Sequence, residues 1–276
     1  MKRSLPLAAL LAAGALVLSA CGGGSTSTES EASGYVNEGQ LTLCSDIPYP
    51  PFEYVENGEN IGFDIDIATQ VAEDLGLELN VITTAFEAIQ SGVALDSNQC
   101  DLVLSGMAIT AERATKMDFS KPYLKDNLAL MANSAGGVTD IESAKDKKVG
   151  VQQATTGEAL AEEHGISPVQ FEDVGLLDQA ISSGQIDAAI ANISTIYSST
   201  QANPDLKLVQ DFETGEVIGA AVKMGNTELL ESFESTMTEL RTSGRYDELV
   251  DQWFGTVADN ARISDEEIAA FDPSQA

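Results

Sequence analysis

Short apolar runs alternate with amphipathic stretches through the first half of the chain. Runs that suit buried strands occur at 41–45 (LTLCS), 77–83 (LELNVIT) and 100–106 (CDLVLSG). Between these runs, residues 63–76 and 86–98 carry their apolar side chains at helical spacing. This β-α-β-α-β order predicts a parallel sheet with helices packed on both of its faces.

The same order of elements repeats in the second half of the chain. Strand-like runs at 147–152, 169–173 and 186–192 alternate with helical stretches at 157–165 and 174–184. The sequence therefore predicts two α/β lobes of similar, Rossmann-like design. Because ligands of open parallel sheets bind beyond the carboxyl ends of the strands, two facing lobes predict a binding cleft between them.

Two extended, aliphatic segments connect the predicted lobes. Residues 121–133 lead out of the first lobe, residues 208–225 return to it, and residues 226–255 form two helices. Two crossings imply a hinge about which the lobes close. The predicted boundaries are 36–124 with 217–257 for a discontinuous first lobe, 125–216 for the second lobe with its hinge crossings, and 258–276 for a C-terminal tail.

The N-terminal residues differ from the rest of the chain. A basic start precedes an apolar run that ends in small residues, which is typical of a secretory signal and too short for a spanning helix. Its end, LSAC, resembles the lipobox of bacterial lipoproteins, in which the cysteine carries lipid after cleavage. We predict a signal peptide at 1–20, a lipid anchor at Cys21 and a flexible tether at 21–35. A soluble secreted protein, cut near Ala20, is the alternative.

The charge balance excludes two classes of partner. The chain has 14 Lys and Arg against 44 Asp and Glu, a formal net charge of -30. Nucleic acids and anionic lipid surfaces both require clustered basic side chains, so neither is an expected partner for the folded domain.

The cysteines and the histidine carry little catalytic chemistry. Cys44 and Cys100 leave two alternatives open, a disulfide or two buried thiols. The one histidine, His164, is predicted near the end of a surface helix, where a cation complements the helix dipole. Metal-ligand spacing, a P-loop and a nucleophile elbow are absent from the sequence, so we expect neither a metal nor a cofactor.

Four segments together resemble a known family. They are 46–54 (DIPYPPFEY), 62–76 (GFDIDIATQVAEDLG), 100–123 (CDLVLSGMAITAERATKMDFSKPY) and 243–255 (SGRYDELVDQWFG), and their order and spacing resemble the extracellular solute-binding proteins of family 3, the polar amino-acid receptors of ABC importers. The resemblance implies a type II periplasmic-binding-protein fold. It also implies a monomeric, membrane-anchored receptor on the extracytoplasmic face that passes a small amino acid or related carboxylate solute to an ABC permease.

The resemblance further implies a set of ligand contacts. Arg113 would hold the ligand's α-carboxylate with its planar guanidinium, assisted by backbone donors near Gly106 and N–H groups at a helix start. Aromatic rings of the first lobe would enclose the ligand's side chain, and Asp46 would meet a polar or cationic end. The full predicted set is Asp46, Tyr49, Phe86, Ser105, Gly106, Met107, Ala108, Arg113, Thr155, Thr156 and Asn192.

Three positions depart from the family pattern. Ala108 stands where the family usually has Thr or Ser, Ala154 where glycine is common, and Asn192 where an aspartate neutralises the ligand's α-ammonium group. A neutral amide cannot balance a buried positive charge. Either another acid such as Asp46 or Glu216 supplies the charge, or the ligand lacks a standard α-ammonium group, as in an amino-acid derivative. A third alternative is that Asn192 only caps the end of its strand.

A cleft enzyme on the same fold is the competing hypothesis. The architecture resembles that of certain dehydratases that act on cyclic carboxylic acids, in which carboxylates such as Glu53 or Asp46 would be general acids. The fold alone does not exclude this. Formation of a product would favour the enzyme, whereas stoichiometric binding without a product would favour the receptor.

Overall fold

The computed structural model describes residues 34–272. The predicted signal peptide, the proposed anchor Cys21, most of the tether and the last residues of the tail lie outside the described residues.

The chain from residue 34 to residue 125 builds the first part of one lobe. Its elements are β1 (Gln40–Ser45), β2 (Tyr54–Glu56), β3 (Glu59–Ile61), α1 (Phe63–Asp74), β4 (Glu78–Thr83), α2 (Phe86–Gln90), α3 (Val93–Asp96), β5 (Leu102–Val103), β6 (Asp118–Phe119) and β7 (Leu124–Lys125). A short 3-10 helix, Arg113–Thr115, precedes β6. Helix α1 buries one apolar face, and Gly76, at a φ of 70°, turns the chain into β4.

The next part of the chain builds the second lobe. Its elements are β8 (Leu128–Asn133), α4 (Ile141–Ala144), β9 (Val149–Gln152), α5 (Thr156–Glu163), β10 (Val169–Phe171), α6 (Val174–Ser182), β11 (Ala188–Asn192), α7 (Ile193–Ala202) and β12 (Leu206–Phe212). Thr155 and Asp173 cap the start of α5 and α6 by accepting backbone N–H groups of the first turn.

The chain then returns to the first lobe. The last elements are β13 (Val217–Ile218), β14 (Ala221–Val222), α8 (Thr227–Ser243), α9 (Arg245–Phe254), α10 (Ala258–Ala261) and α11 (Asp265–Ala270). The predicted C-terminal tail contains α10 and α11, and it packs back on the domain. Ile263 is buried, and Glu267 forms a salt bridge of 2.9 Å with Lys125.

Each lobe is built on a five-stranded mixed sheet. The strand order is β4-β1-β5-β14-β6 in the first lobe and β10-β9-β11-β8-β12 in the second. The three strands that alternate with helices run parallel in each sheet, as predicted. Each sheet is mixed because strands outside this repeat, β14 in the first lobe and β8 and β12 in the second, pair antiparallel. Strands β8 and β14 follow the segments that cross between the lobes, so they enter their sheets without a helical crossover, whereas β12 follows helix α7.

The two crossings pair with each other. Strands β7 and β13 form an antiparallel ribbon, with Val217 opposite Lys125 and Ile218 opposite Leu124. The Asp126 N–H continues this pairing by donating to the Glu216 carbonyl at 3.1 Å. The crossings therefore form one hydrogen-bonded hinge strip between the two sheets.

Cys44 and Cys100 form a disulfide in the first lobe. Their Cα atoms are 5.6 Å apart, and both residues are buried in a cluster that also contains Phe86 and Met107. Of the two alternatives that the sequence left open, the structure has the disulfide.

Three further features bear on the expected function. Within residues 34–272, no helix combines the length and the apolar character that a membrane span requires. Across the same residues, no group of His, Cys, Asp and Glu side chains is placed to hold a metal ion. His164 is the C-cap residue of α5, as predicted, and its ring lies 5.9 Å from that of Phe212.

Candidate ligand-binding site

A small polar cavity lies between the two lobes. In this closed arrangement of the lobes, the cavity has room for about one water molecule. Two of its residues end parallel strands, Gln152 on β9 and Asn192 on β11, as the strand-end rule requires. The lining residues are Tyr49, Phe86, Ser105, Gly106, Ala108, Arg113, Gln152, Thr155, Thr156 and Asn192.

Arg113 is a buried cation in the wall of this cavity. It is 5% exposed, and its guanidinium carbon lies 5.1 Å from the centre of the Phe86 ring. Nη1 donates to the Ala108 carbonyl at 2.9 Å, and Nη2 donates to the Ala154 carbonyl of the other lobe at 3.2 Å. Burial lowers the pKa of Arg113 to about 10. None of the salt bridges within residues 34–272 includes Arg113. Its charge is therefore buried without an ion-pair partner.

Ala154 has an unusual backbone conformation beside Arg113. Its φ is 63°, in the left-handed region, which costs a residue with a Cβ about 1 kcal/mol relative to the right-handed region. Glycine takes this conformation without that cost, so the departure at Ala154 leaves strain in the cavity wall.

The segment from Ser105 to Ala108 is only partly open to the cavity. Gly106 has a φ of 50°, and a Cβ at this position would lie 2.8 Å from the Tyr49 ring, so the close approach requires glycine. The Gly106 N–H donates to the Asp64 carboxylate at 2.8 Å, so the backbone donors predicted near Gly106 do not include this group in the structure. The Met107 side chain is fully buried in the core and does not line the cavity, so the predicted ligand contact of this residue stays a prediction for its backbone.

The start of α5 supplies the second lobe's wall. The Thr155 hydroxyl accepts from the Glu158 N–H at 3.3 Å and donates to the Gln152 carbonyl at 2.7 Å, so capping occupies it. The Thr156 hydroxyl donates to Glu216 Oε2 at 3.1 Å. The groups of this wall that suit an anion are therefore the backbone N–H groups of the first turn.

Tyr49 and Asn192 join the lobes across the cavity. The Tyr49 hydroxyl donates to Asn192 Oδ1 at 2.7 Å, and Asn192 Nδ2 donates to the Asp126 carbonyl at 2.8 Å. The Asn192 side chain makes no capping bond to the first turn of α7, and the alternative that it caps the end of its strand stays open. Both ends of its amide are already hydrogen-bonded.

Asp46 is not among the residues that line the cavity, but its hydrogen-bond partner Gln152 is, and its ligand contact stays a prediction. It is 4% exposed, and its carboxylate accepts a hydrogen bond from Gln152 Nε2 of the other lobe. Burial raises the pKa of Asp46 to about 7. The predicted set omitted Gln152, although its position at the end of β9 is the signal that the strand-end rule uses.

Glu216 was named as an alternative acid but was not in the predicted set. Burial raises the pKa of its carboxyl to about 7, while the Thr156 hydrogen bond, the Arg113 charge and the Asn192 amide act in the opposite direction. Thr156, Arg113 and Asn192, which line the cavity, therefore all interact with the Glu216 carboxylate. Glu216 immediately precedes β13.

The carboxylates proposed for an enzyme are poorly placed for general acid catalysis. Glu53 is fully buried, and its Oε1 accepts a hydrogen bond from the Ser105 hydroxyl at 2.6 Å. Ser105 therefore stands between Glu53 and the cavity, and Asp46 is held by Gln152. Neither acid is among the residues that line the cavity.

Two α/β lobes, a paired hinge and a buried polar cavity define a two-lobe clamp of the type II periplasmic-binding-protein class. The comparisons agree with this class. Residues 41–256 match the model of the bacterial extracellular solute-binding proteins, family 3, and the chain belongs to this family.

Named relatives are amino-acid-binding proteins. The chain is 31% identical to the arginine-binding extracellular protein ArtP of Bacillus subtilis, over 86% of this chain and 92% of ArtP. It is 29% identical to the putative ABC transporter arginine-binding protein 2 of Escherichia coli, over 78% of this chain and 90% of the relative.

A solved structure has the same fold. The ancestral amino acid-binding protein AncCDT-1, a precursor of cyclohexadienyl dehydratase, superposes with a TM-score of 0.72 at 32% identity. The match covers 78% of this chain and 96% of that protein.

Proposed function

We propose that this protein is the substrate-binding component of an ABC importer and captures an amino acid in the cavity between its lobes. The observation that carries the proposal is Arg113, a buried guanidinium without an ion-pair partner among the described residues. A buried charge is costly unless it is paired, and a ligand carboxylate would supply the missing partner. The planar guanidinium suits two parallel hydrogen bonds to such a group.

We further propose that the amino acid has a cationic side chain. Arg113 is the one basic residue of the cavity lining, whereas three carboxyl groups lie close to the cleft: Asp46 and Asp126, which are buried, and Glu216, which is half-buried. An amino acid with a net positive charge would reduce this excess of negative charge. The names of the two relatives, both arginine-binding, support the same choice.

Capture would require the lobes to open. The cavity has room for about one water, and three hydrogen bonds already join the lobes: Tyr49 to Asn192, Arg113 to Ala154, and Gln152 to Asp46. We propose that residues 36–124 with 217–257 move as one body and 125–216 as the other, about the β7–β13 ribbon. A ligand that contacts both lobes only when they are closed would then stabilise the closed state.

Isothermal titration calorimetry of the purified full chain with L-arginine tests the proposal. We expect one site with a roughly micromolar or lower Kd, and D-arginine as a much weaker control. Mass spectrometry after long incubation should recover L-arginine unchanged. Absence of binding by any common amino acid would contradict the receptor, and a new product would favour the cleft enzyme.

We also propose that Cys21 anchors the protein to the membrane through lipid, which the lipobox-like LSAC sequence supports. The acidic chain would be repelled by an anionic leaflet, so lipid would have to provide the attachment. Cys21→Ala is expected to move the protein from the membrane fraction to the soluble fraction, as followed by immunoblotting. An unchanged membrane fraction would contradict the anchor.

A further inference from the structure

Two acids lie on the hinge crossings at one end of the cavity. Asp126 follows β7, Glu216 precedes β13, and the backbone bond from Asp126 N–H to the Glu216 carbonyl holds them side by side. Neither residue is among those that line the cavity, yet both interact with side chains that do. The hinge therefore brings negative charge to the cavity wall.

The hydrogen bonds distinguish these two acids. Asp126 is 2% exposed, and its carboxylate is occupied by the Ser194 N–H, at 3.2 Å, and the Ser194 hydroxyl. Glu216 accepts a hydrogen bond from the Thr156 hydroxyl at 3.1 Å, and the Asn192 amide and the Arg113 charge also act on its carboxylate. The largest attraction on the Arg113 charge also comes from Glu216. The Asp126 carboxylate is thus held by Ser194, whereas the Glu216 carboxylate interacts with three residues of the cavity wall.

An amino acid in this cavity requires a negative partner for its ammonium group. Asn192 is neutral, and its carbonyl oxygen is already bonded to the Tyr49 hydroxyl. Asp46 is held by Gln152. Thr156, which bonds Glu216, lines the cavity together with Arg113, so a ligand whose carboxylate met Arg113 would lie beside a residue that Glu216 contacts.

We propose that Glu216, on the returning hinge crossing, is the counter-ion for the α-ammonium group of the bound amino acid. This inference rests on the proposed function, and it names the residue that determines the zwitterionic part of specificity. The ligand would then contact the hinge itself as well as both lobes. The charge that Asn192 lacks is supplied from a different element of the fold.

The test compares two probes on three variants of the full chain. The probes are L-arginine and its des-amino analogue, which keeps the carboxylate and the guanidinium but lacks the ammonium group. Glu216→Gln should weaken L-arginine binding about 100-fold, because the buried ammonium loses its partner. The des-amino analogue should bind Glu216→Gln at least as well as it binds the wild type.

The second and third variants separate charge from structure. Asn192→Asp in the Glu216→Gln background should recover at least about tenfold of the lost affinity for L-arginine. Glu213→Gln removes the same charge from an exposed position three residues away, and should leave Kd unchanged. Equal weakening of both probes by Glu216→Gln would overturn the inference, since Glu216 would then act only by holding Thr156.

Two failures are distinguishable. If the wild type binds no amino acid, the proposed function fails and this inference fails with it. If the wild type binds L-arginine and Glu216→Gln binds it equally well, the receptor stands and the counter-ion assignment is wrong.

Proton release gives an independent readout. Burial raises the pKa of Glu216 to about 7, so part of the empty protein carries this proton at neutral pH, and an adjacent ammonium group would expel it. Calorimetry in buffers of different ionisation enthalpy should show proton release on L-arginine binding near pH 7, and affinity should rise with pH through that range. Glu216→Gln should reduce both effects; unchanged proton release would overturn the assignment. The other charged groups around Glu216 are Arg113 and Asp126 at the cavity, and Lys125, Asp211, Glu213, Asp259, Glu267 and Asp272 on the outer side.

Discussion

Arg113→Ala is expected to weaken amino-acid binding by about 2 to 5 kcal/mol, which is roughly 30- to 4,000-fold in Kd. The ligand carboxylate would be left buried without its cation, and the cavity wall would lose the two hydrogen bonds that join Arg113 to Ala108 and Ala154. Isothermal titration calorimetry of the wild type and the variant with L-arginine measures the difference.

The geometry around Arg113 explains why its side chain can serve both the fold and a ligand. A guanidinium has five N–H groups, and two of them donate to the carbonyls of Ala108 and Ala154. The guanidinium carbon of Arg113 lies 5.1 Å from the centre of the Phe86 ring. Three donors therefore remain for a carboxylate, on a group whose orientation is already restricted.

A matched set of variants separates ligand binding from stability. Arg113→Lys keeps the charge but loses the planar pair of donors, so its Kd should lie between those of the wild type and Arg113→Ala. Arg245→Ala removes an exposed arginine whose partner is Glu248, and should leave Kd unchanged. Urea unfolding of each variant reports the cost to the fold. Wild-type affinity in a folded Arg113→Ala protein would contradict the carboxylate-binding role.

Much of the fold could be predicted because its central strands and helices carry a periodic pattern. Strand β4, at Glu78–Thr83, and helix α1, at Phe63–Asp74, lie within their predicted segments. Strands β14 and β6 span two residues each, which is too short for any alternation of apolar and polar positions to show. The antiparallel edge that they give to the first sheet could not be predicted for this reason.

Residues of the candidate site could be predicted where they lie at the ends of strands or where the resemblance to the family indicates them. Asn192 ends β11 and Arg113 follows β5, and both line the cavity. The contact between Gln152 and Asp46 depends on how the closed lobes meet, and no local pattern encodes that meeting. Met107 belongs to a contiguous run of predicted contacts, and the alternation along an extended chain turns its side chain into the core.

Removal of the Cys44–Cys100 disulfide is expected to lower the free energy of unfolding by about 4 kcal/mol, because the bond closes a loop between residues 56 positions apart. The disulfide restricts the conformational freedom of the unfolded chain. Removal of the bond restores that freedom and therefore favours unfolding. Both sulfur atoms lie in an apolar cluster, which makes alanine the matched replacement since it adds no buried polar atom.

The measurement is urea unfolding of the oxidised wild type against the Cys44→Ala, Cys100→Ala double variant. We expect a lower midpoint for the variant, and near-native affinity for L-arginine at low urea, because neither cysteine lines the cavity. The wild type unfolded in reductant and refolded without oxidation should resemble the variant. Coincident unfolding curves for oxidised and reduced wild type would contradict the stabilising role. Proteins of this family are extracellular, and disulfides persist in oxidising surroundings outside the cytoplasm. The bond would therefore stabilise the fold in the compartment in which the family occurs.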